Sequence, residues 1–239
     1  MKIVATHIYS FKIPMVPFTI ATGTMHHAQN ILIKVTTDEG IIGYGECSAF
    51  PMIVGETQQS CYMLAKDFAA FWKGKNPLAI TERLNELDLI IAGNYTAKSA
   101  FDMALYDIAA KHANQPLYAF LGGQQKSIES DLTIGIDTPQ NMAGQAIDFV
   151  AKGVRIIKVK LGKHPTEDVE RIKAIRTAIG DEIILRIDAN QGWSSDDALG
   201  VLTNLSKYNI EFCEQPMHKY QDDLLPALCK ASPIKIMAD

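Results

Sequence analysis

Short apolar runs alternate with segments of helical periodicity through the second half of the chain. The apolar runs are rich in aliphatic residues and occupy 131–136, 155–160, 183–188, 210–214 and 234–239. Between them, apolar residues recur at helical spacing, so this half is a repeating strand–helix unit. That repeat predicts a parallel sheet. In a parallel βα barrel the carboxyl ends of all strands open onto one face, where functional groups lie.

The first half of the chain has a different pattern. Residues 3–12, 30–36 and 41–46 predict three antiparallel strands, and a hairpin turn at 37–40 that ends in glycine joins the last two. Residues 14–27 include two prolines, a Thr-Gly-Thr and a His-His, a composition typical of a mobile loop. A small antiparallel sheet is therefore expected at the start of the chain.

Helical periodicity follows this sheet and predicts three helices at 58–72, 77–89 and 95–111. Because this α+β pattern then gives way to the strand–helix repeat, we expect two domains: an α+β domain at 1–125 and the first part of a TIM-like barrel at 126–239. A complete barrel has eight strands in roughly 250 residues, whereas the second domain has room for about five. We therefore expect this sequence to be the front part of a longer polypeptide.

The composition excludes several classes of function. The 239 residues are 47% hydrophobic and 21% charged with a formal net charge of −4, so no basic surface indicates a nucleic-acid partner. No apolar run approaches the ~20 residues that a membrane helix needs, and the N-terminus lacks the pattern of a signal peptide. The four cysteines have no metal-binding spacing, which favours a reduced, cytoplasmic protein.

Three consecutive predicted strands end on a carboxylate: Asp188, Glu214 and Asp239. Neighbouring carboxylates repel one another unless a cation neutralises them. An anionic, all-oxygen set suits a hard ion such as Mg²⁺, whose remaining positions water and substrate oxygens fill. Any one of the three, taken alone, is better explained as a solvated strand end or a helix N-cap. Three in succession on the functional face of a barrel favour a Mg²⁺ site.

Lys158 and Lys160 lie two residues apart on a predicted strand, so their side chains point to the same face. A Lys-x-Lys pair is ordinarily a pair of surface lysines. Here the flanking Ile157, Val159 and Leu161 suit the helix-covered side of a barrel strand, which leaves the lysines for the barrel interior beside the carboxylates. Desolvation and a nearby cation both lower the pKa of a lysine, which suits it to act as a general base.

A lysine base that faces Mg²⁺ indicates proton abstraction next to a carboxylate. The α-proton of a carboxylate is too weak an acid for lysine unless the resulting enediolate is stabilised. Coordination of the substrate carboxylate to Mg²⁺ provides that stabilisation at the oxygens where negative charge develops.

The order of these residues resembles the enolase superfamily, in its mandelate racemase/muconate lactonizing subgroup, which uses a lysine base with Mg²⁺. The resemblance rests on four motifs in order: Lys158-Val-Lys160, Asp188-Ala-Asn190, Glu214-Gln-Pro216 and Asp239. Within the subgroup, residues 43–47, 54–57 and 188–193 resemble the dipeptide epimerases. The resemblance implies an α+β capping domain followed by a (β/α)7β barrel, of which about the first five strands fall in this sequence.

The resemblance also implies roles for the charged residues. Asp188, Glu214 and Asp239 would hold one Mg²⁺ ion per active site. Lys160 would act as acid and base on one face of the substrate's α-carbon, and Lys158 would assist by hydrogen bonding the substrate carboxylate. Inversion needs a second acid/base, which the family supplies from a lysine on the sixth barrel strand, beyond Asp239. The residues that bind the substrate's amino group are expected there too.

Two threonines resemble substrate-binding positions. Thr133 lies on the first barrel strand and faces inward, and Thr24 lies in a capping loop that would close over the substrate. Ordinary barrel or loop polarity explains each of them equally well. Residues 52–54 could shape the pocket, and Asn190 could hold Lys160 or a metal ligand in place.

The leading hypothesis is a Mg²⁺-dependent dipeptide epimerase, an isomerase that inverts the α-carbon of the C-terminal residue of a dipeptide through a metal-stabilised enediolate. Alternatives within the superfamily are an o-succinylbenzoate synthase, an N-acylamino acid racemase and a muconate cycloisomerase. A catalytically silent binding protein on the same scaffold is a third hypothesis, which the intact lysines and carboxylates disfavour. A homo-oligomer is compatible with the resemblance, and the preferred side chains of the substrate cannot be read from these residues.

Overall fold

The computed structural model describes all 239 residues, Met1–Asp239, and they form two compact units. The first unit comprises Met1–Met15 and His27–Ser127, and the second comprises Val16–His26 and Ile128–Asp239. Each unit has its own core of buried apolar side chains. The domain boundary expected at residue 125 stays a prediction, and no sequence pattern indicated that 16–26 belongs with the second unit.

A three-stranded sheet opens the chain, with strands β1 (Ile3–Ile20), β2 (Gly23–Thr37) and β3 (Ile42–Ser48) in that order. β2 and β3 pair antiparallel over seven residues, from Asn30↔Ser48 to Thr36↔Ile42. Alternate apolar residues of β2 face the core of the first unit and are buried. The predicted hairpin is therefore confirmed.

The loop predicted at 14–27 is wrong. β1 and β2 continue through these residues, and only a turn at 21–22 interrupts them. Pro14 and Pro17 both lie in β1, which is an edge strand of its sheet. An edge strand tolerates proline because its outer side needs no N–H donors for a neighbouring strand.

Five helices follow the sheet: α1 (Pro51–Val54), α2 (Gln58–Trp72), α3 (Ile80–Ile90), α4 (Tyr95–His112) and α5 (Leu117–Phe120). The three helices predicted from periodicity are confirmed as α2, α3 and α4, although the second begins at Ile80 and not at 77. Thr57 caps α2, since its hydroxyl accepts a hydrogen bond from the backbone N–H of Ser60.

Helix α4 lies directly against β3 because two glycines leave room for it. A Cβ atom at Gly43 would lie 2.1 Å from the carbonyl oxygen of Ala104, and one at Gly45 would lie 1.7 Å from that of Ala100. The facing residues of α4 are small and buried. A methyl group at either glycine would therefore force the helix away from the strand.

The second unit alternates strands and helices. Its elements are β4 (Leu132–Ile134), α6 (Pro139–Ala151), β5 (Ile156–Lys160), α7 (Pro165–Ile179), β6 (Ile184–Asp188), α8 (Ser195–Leu205), β7 (Ile210–Glu214), α9 (Leu225–Ala231) and β8 (Ile236–Met237). The five strands form one parallel sheet in sequence order. The α/β prediction with five strands of a parallel barrel wall is confirmed. Across both units, no helix combines the length and apolarity needed to cross a membrane.

Each strand of this sheet presents one face to the helices. On β5, Ile157 and Val159 have no exposed surface and belong to a core that includes helix residues such as Ile172. Lys158 and Lys160 alternate with them and therefore point to the opposite face. The prediction that the lysines avoid the helix-covered side is confirmed.

We predict that Gly45→Ala lowers the free energy of unfolding by about 1–3 kcal/mol, because the new methyl group overlaps the backbone of α4. Chemical denaturation followed by circular dichroism measures this change. The matched control is Gly144→Ala in α6, where a Cβ atom meets nothing within 4 Å and alanine favours the helix. Equal stability of the two variants would contradict the proposed close packing of α4 on β3.

Candidate active site

The carboxyl ends of three neighbouring strands bring four charged side chains together. β5 and β6 pair so that Lys160 lies opposite Asp188, and β6 and β7 pair so that Asp188 lies opposite Glu214. Residues that pair across parallel strands point to the same face of the sheet. Lys158, which precedes Lys160 by two residues, shares that face. The predicted convergence of the lysines with two of the carboxylates therefore occurs in the structure.

A β-bulge sets the position of Glu214. Leu185 of β6 pairs with Ile210 of β7, but Ile187 pairs with Cys213, so β7 contains one extra residue between these pairs. A shift of one residue turns the side chains of a strand to the other face. The extra residue therefore aligns Glu214, and not Cys213, with Asp188 on the face that carries the lysines.

The four side chains form a continuous ion-pair network. The Nζ atom of Lys158 lies 2.7 Å from Oε2 of Glu214 and 2.9 Å from Oδ2 of Asp188, and Nζ of Lys160 lies 2.6 Å from the same Asp188 oxygen. The side chain of Asp188 is only 1% exposed. A carboxylate this far from water is costly unless cations and donors contact it. The two lysines satisfy that requirement and leave the network formally neutral.

The network shifts the pKa values of two of its members. Burial raises the pKa of Asp188, but hydrogen bonds from Lys160, Lys158 and the backbone N–H of Asn190 outweigh it and leave the pKa below its usual value. Burial lowers the pKa of Lys158, but its bonds to Glu214 and Asp188 outweigh that effect and raise the pKa. The ammonium of Lys158 faces two carboxylates in this arrangement, and the expected lowering of a lysine pKa beside a bound cation stays a prediction.

Asp239 does not join this network. It follows β8, its side chain is exposed, and its backbone N–H donates a hydrogen bond to Oε1 of Gln215 at 3.1 Å. No three His, Cys, Asp or Glu side chains lie close enough to hold a metal ion. The structure thus brings together two of the three predicted ligands, and the role of Asp239 stays a prediction.

The donor chemistry of the network nevertheless fits Mg²⁺. Asp188 and Glu214 present carboxylate oxygens from adjacent strand ends, the donors that Mg²⁺ prefers. Both are largely buried and depend on positive charge beside them, which the two lysines provide here. These two carboxylates are therefore suited to a hard cation.

The two predicted substrate-binding threonines occupy different positions. Thr133 lies on β4 and pairs in register with Lys158, so its half-buried side chain shares the face of the lysines. Thr24 is exposed in β2, and its hydroxyl forms a hydrogen bond of 2.9 Å with that of Thr19. The carbonyl of Thr19 accepts a hydrogen bond from the backbone N–H of Ile136, just beyond β4. The hairpin tip therefore attaches to the strand ends, and the substrate roles of both threonines stay predictions.

Residues 52–54 lie in α1 of the first unit with exposed side chains, and their proposed role in shaping a pocket also stays a prediction. Asn190 has a backbone φ of 45°, and its N–H donates to Oδ1 of Asp188 at 2.8 Å. Its own side-chain oxygen is buried without a hydrogen-bond partner. Asn190 therefore positions the Asp188 carboxylate through its backbone.

A second row of charges below the network was missed by the sequence analysis. Arg186 lies two residues before Asp188, and its guanidinium contacts Asp131 at 2.9 Å and Glu211 at 2.6 Å. The only signal in the sequence was the two-residue spacing from Asp188, which places Arg186 on the same face. The inward face of this sheet is therefore charged along two successive rows.

Two family profiles match this chain. The profile described as the mandelate racemase/muconate lactonizing enzyme N-terminal domain matches residues 3–122. The profile described as enolase C-terminal domain-like matches residues 141–239. Together they cover most of both units.

Individual relatives agree with these profiles. The chain is 45% identical over 240 residues to a D-Ala-D/L-Ala epimerase of Cytophaga hutchinsonii, with 99% of this chain and 65% of the relative covered. It is 38% identical over 240 residues to a hydrophobic dipeptide epimerase of Enterococcus faecalis, with 100% of this chain and 68% of the relative covered.

A solved structure of the dipeptide epimerase from Cytophaga hutchinsonii, complexed with Mg and the dipeptide D-Ala-L-Val, superimposes with a TM-score of 0.98. Its sequence is 44% identical, and the match covers 100% of this chain and 66% of that one. The chain thus spans about two thirds of the length of the relatives that it matches.

We predict that Lys160→Met raises the pKa of Asp188, because the substitution removes the hydrogen bond and charge that lower it while the burial that raises it remains. The change is measured by the carboxyl ¹³C chemical shift of Asp188 as a function of pH, with a chelator present to remove metal ions. An aspartate whose pKa is lowered in the folded state stabilises the fold at pH values above its unfolded-state pKa of about 3.9. This stabilisation is lost as the pH falls through the folded-state pKa. The variant should therefore begin to unfold in acid at a higher pH than the wild type.

Lys173→Met is the matched control for this substitution. Lys173 pairs with Glu170 at 3.5 Å, but both side chains are more than half exposed, so its removal should leave the Asp188 titration unchanged. If Asp188 titrates identically in wild type and in Lys160→Met, the ion pair is not what lowers its pKa.

Proposed function

The chain belongs to the enolase superfamily, in its mandelate racemase/muconate lactonizing subgroup, and we propose that it acts as a Mg²⁺-dependent dipeptide epimerase. The observation that carries the proposal is the network of two lysines and two carboxylates at neighbouring strand ends. The relatives named as epimerases, one of them solved with Mg and a dipeptide, support the substrate class. The proposed reaction inverts the α-carbon of the dipeptide's C-terminal residue.

Lys160 is the proposed acid and base on one face of the α-carbon. It is the last residue of β5, and its side chain is 13% exposed. A substrate at the carboxyl end of the sheet can therefore reach the amine, which is largely shielded from water. An ammonium has no lone pair, so Lys160 must first give up one proton and leave Asp188 before its neutral amine can accept the α-proton. Inversion also needs an acid on the opposite face, and the family resemblance assigns that role to a lysine of the sixth strand.

Lys158 is the proposed partner of the substrate carboxylate. Its ammonium has three N–H donors and in this structure uses them on Glu214 and Asp188. One of these N–H groups can donate to the carboxylate of a bound substrate while another keeps its contact with Glu214 or Asp188.

Asp188, Glu214 and Asp239 are the proposed Mg²⁺ ligands. When bound, Mg²⁺ supplies positive charge beside the substrate carboxylate, where negative charge develops as the α-proton leaves. Gln215, which is almost fully buried, supports the third assignment because its side chain holds the backbone N–H of Asp239 next to the end of β7. We propose Thr133 as a substrate contact beside Lys158 and Thr24 as a contact from the hairpin tip.

Two further proposals concern the protein's setting. Four free cysteines, three of them buried, support a reduced, cytoplasmic location. A homo-oligomer is proposed from the family resemblance alone, and sedimentation analysis tests it.

We predict that the full polypeptide with Mg²⁺ in D₂O exchanges the α-hydrogen of the C-terminal residue of a dipeptide and inverts that centre. Nuclear magnetic resonance and mass measurement of a dipeptide panel give the exchange and the accepted side chains. Exchange on N-acylamino acids alone, or loss of water from a succinylbenzoate precursor, would contradict the dipeptide assignment and favour the corresponding alternative. No turnover of any of these substrates would favour the silent binding protein.

We predict that Lys160→Ala lowers the rate of inversion by at least about 10²-fold and leaves the affinity for Mg²⁺ nearly unchanged, since one of the two groups that inversion needs is lost and no proposed ligand is removed. Asp188→Asn should weaken Mg²⁺ binding and exchange together. Isothermal titration with Mg²⁺ separates the two effects. Inversion at the wild-type rate in Lys160→Ala would overturn the assignment of Lys160 as the base.

A further inference from the structure

Asp168 is a fully buried carboxylate that lies outside the ion-pair network. It belongs to the first turns of α7 and has no exposed surface. Its Oδ2 atom accepts hydrogen bonds from the backbone N–H of Gly162 at 2.9 Å and from the indole N–H of Trp193 at 2.8 Å. Its Oδ1 atom accepts a bond of 2.8 Å from Arg171. This one side chain therefore collects three donors in a region without water access.

The donors to Asp168 come from different loops of the sheet's carboxyl end. Gly162 lies in the loop after β5, two residues beyond Lys160, and Trp193 lies in the loop after β6, five residues beyond Asp188. Arg171 extends the connection, since its Nε donates to the carbonyl of Asp137 in the loop after β4. Three successive loops are thus tied to one carboxylate.

These loops also touch each other through their backbones. A Cβ atom at Gly162, whose φ is +102°, would lie 2.1 Å from the carbonyl oxygen of Ala189, and one at Gly192 would lie 2.1 Å from that of Gly162. The backbone N–H of Leu161 donates to the carbonyl of Asp188 at 2.9 Å. The residues that follow Lys160 and Asp188 are therefore in close backbone contact and joined by a hydrogen bond, so a movement of one loop would displace the other.

A helix cap does not account for Asp168. A capping side chain accepts N–H groups of its own helix, whereas both donors to Oδ2 come from outside α7. Trp193 is likewise more than a packing residue. Its indole N–H donates to the Asp168 carboxylate, and its backbone N–H donates to the carbonyl oxygen of Pro216, in the loop after β7, at 3.2 Å. The pair connects the ends of the strands that carry Lys160, Asp188 and Glu214.

We propose that Asp168 and Trp193 are positioning residues for proton transfer: their hydrogen bond fixes the loops after β5 and β6, and thereby the spacing between the Lys160 amine and the Asp188 carboxylate. This proposal rests on the proposed function, since Lys160 must reach the α-carbon while Asp188 stays in place. Small errors in such spacing slow a reaction strongly, by up to about 10²-fold for 1 Å, without weakening substrate binding to the same extent.

Trp193→Phe is the test, because it removes the indole N–H and keeps an aromatic ring in the core. The chain has only two tryptophans, and the other gives a matched control. Trp72 is also fully buried, but its indole N–H has no hydrogen-bond partner, so Trp72→Phe makes the same substitution without loss of a bond. Asp168→Asn is the second variant, since it keeps the shape and removes the charge.

The kinetic experiment uses the full polypeptide with Mg²⁺ and the best dipeptide of the panel. Trp193→Phe should lower kcat at least tenfold, change KM less than twofold and enlarge the effect of α-deuteration on kcat, because proton transfer becomes slower. Trp72→Phe should leave kcat, KM and the isotope effect unchanged. A Trp193→Phe variant with wild-type kcat, or with a loss of kcat that only follows a loss of folded protein at the assay temperature, would overturn the proposal.

Amide hydrogen exchange of the Mg²⁺-loaded protein keeps the proposal testable if no dipeptide reacts. Peptides that cover 160–164 and 188–194 should exchange at least several-fold faster in Trp193→Phe and in Asp168→Asn than in wild type, while peptides from α4 should not change. That result with an inactive wild type would leave the positioning bond supported and the epimerase assignment rejected. Unchanged exchange in both loops would overturn the positioning bond whatever the activity.

Discussion

The contact between two ammonium groups and two carboxylates at the ends of β5, β6 and β7 is the interaction on which the second unit depends. Asp188 is almost completely removed from water, and only positive charge and N–H donors make an anion stable there. Its lysine partners come from one neighbouring strand, and one of them also contacts the carboxylate of the other neighbour. Electrostatics thus links three adjacent strands at the point where the chain must present its reactive groups.

The proposed chemistry would require some of those contacts to be exchanged. The network is neutral as it stands, because two ammonium groups balance two carboxylates. Under the proposed function, a cation beside Asp188 and Glu214 would compete with the lysines for the same carboxylate oxygens. The loops that follow β5 and β6 are held by separate buried hydrogen bonds to Asp168.

Much of this arrangement could be predicted from the sequence, because alternation and strand spacing report which face a side chain takes. The lysines of β5 and the carboxylates that end β6 and β7 were found in this way. Three features could not be predicted from alternation and strand spacing. The extra residue in β7 leaves no trace in an apolar run, prolines suggested a loop where an edge strand accepts them, and the bond between Asp168 and Trp193 joins residues whose separation follows no repeat. Asp239 follows β8 and its side chain is exposed. The local sequence pattern does not determine where such a side chain points.

The second unit is discontinuous in sequence: its hairpin tip, Val16–His26, is separated from the rest by more than a hundred residues of the first unit. A gene crossover between Ser127 and Ile128 would therefore give a chimera whose barrel wall comes from one parent and whose hairpin tip comes from the other. Modular exchange of the second unit within these residues needs three breakpoints and not one. Mutations that adapt the tip to the strand ends must consequently be inherited together with the strands, although residues 27–127 separate the two segments.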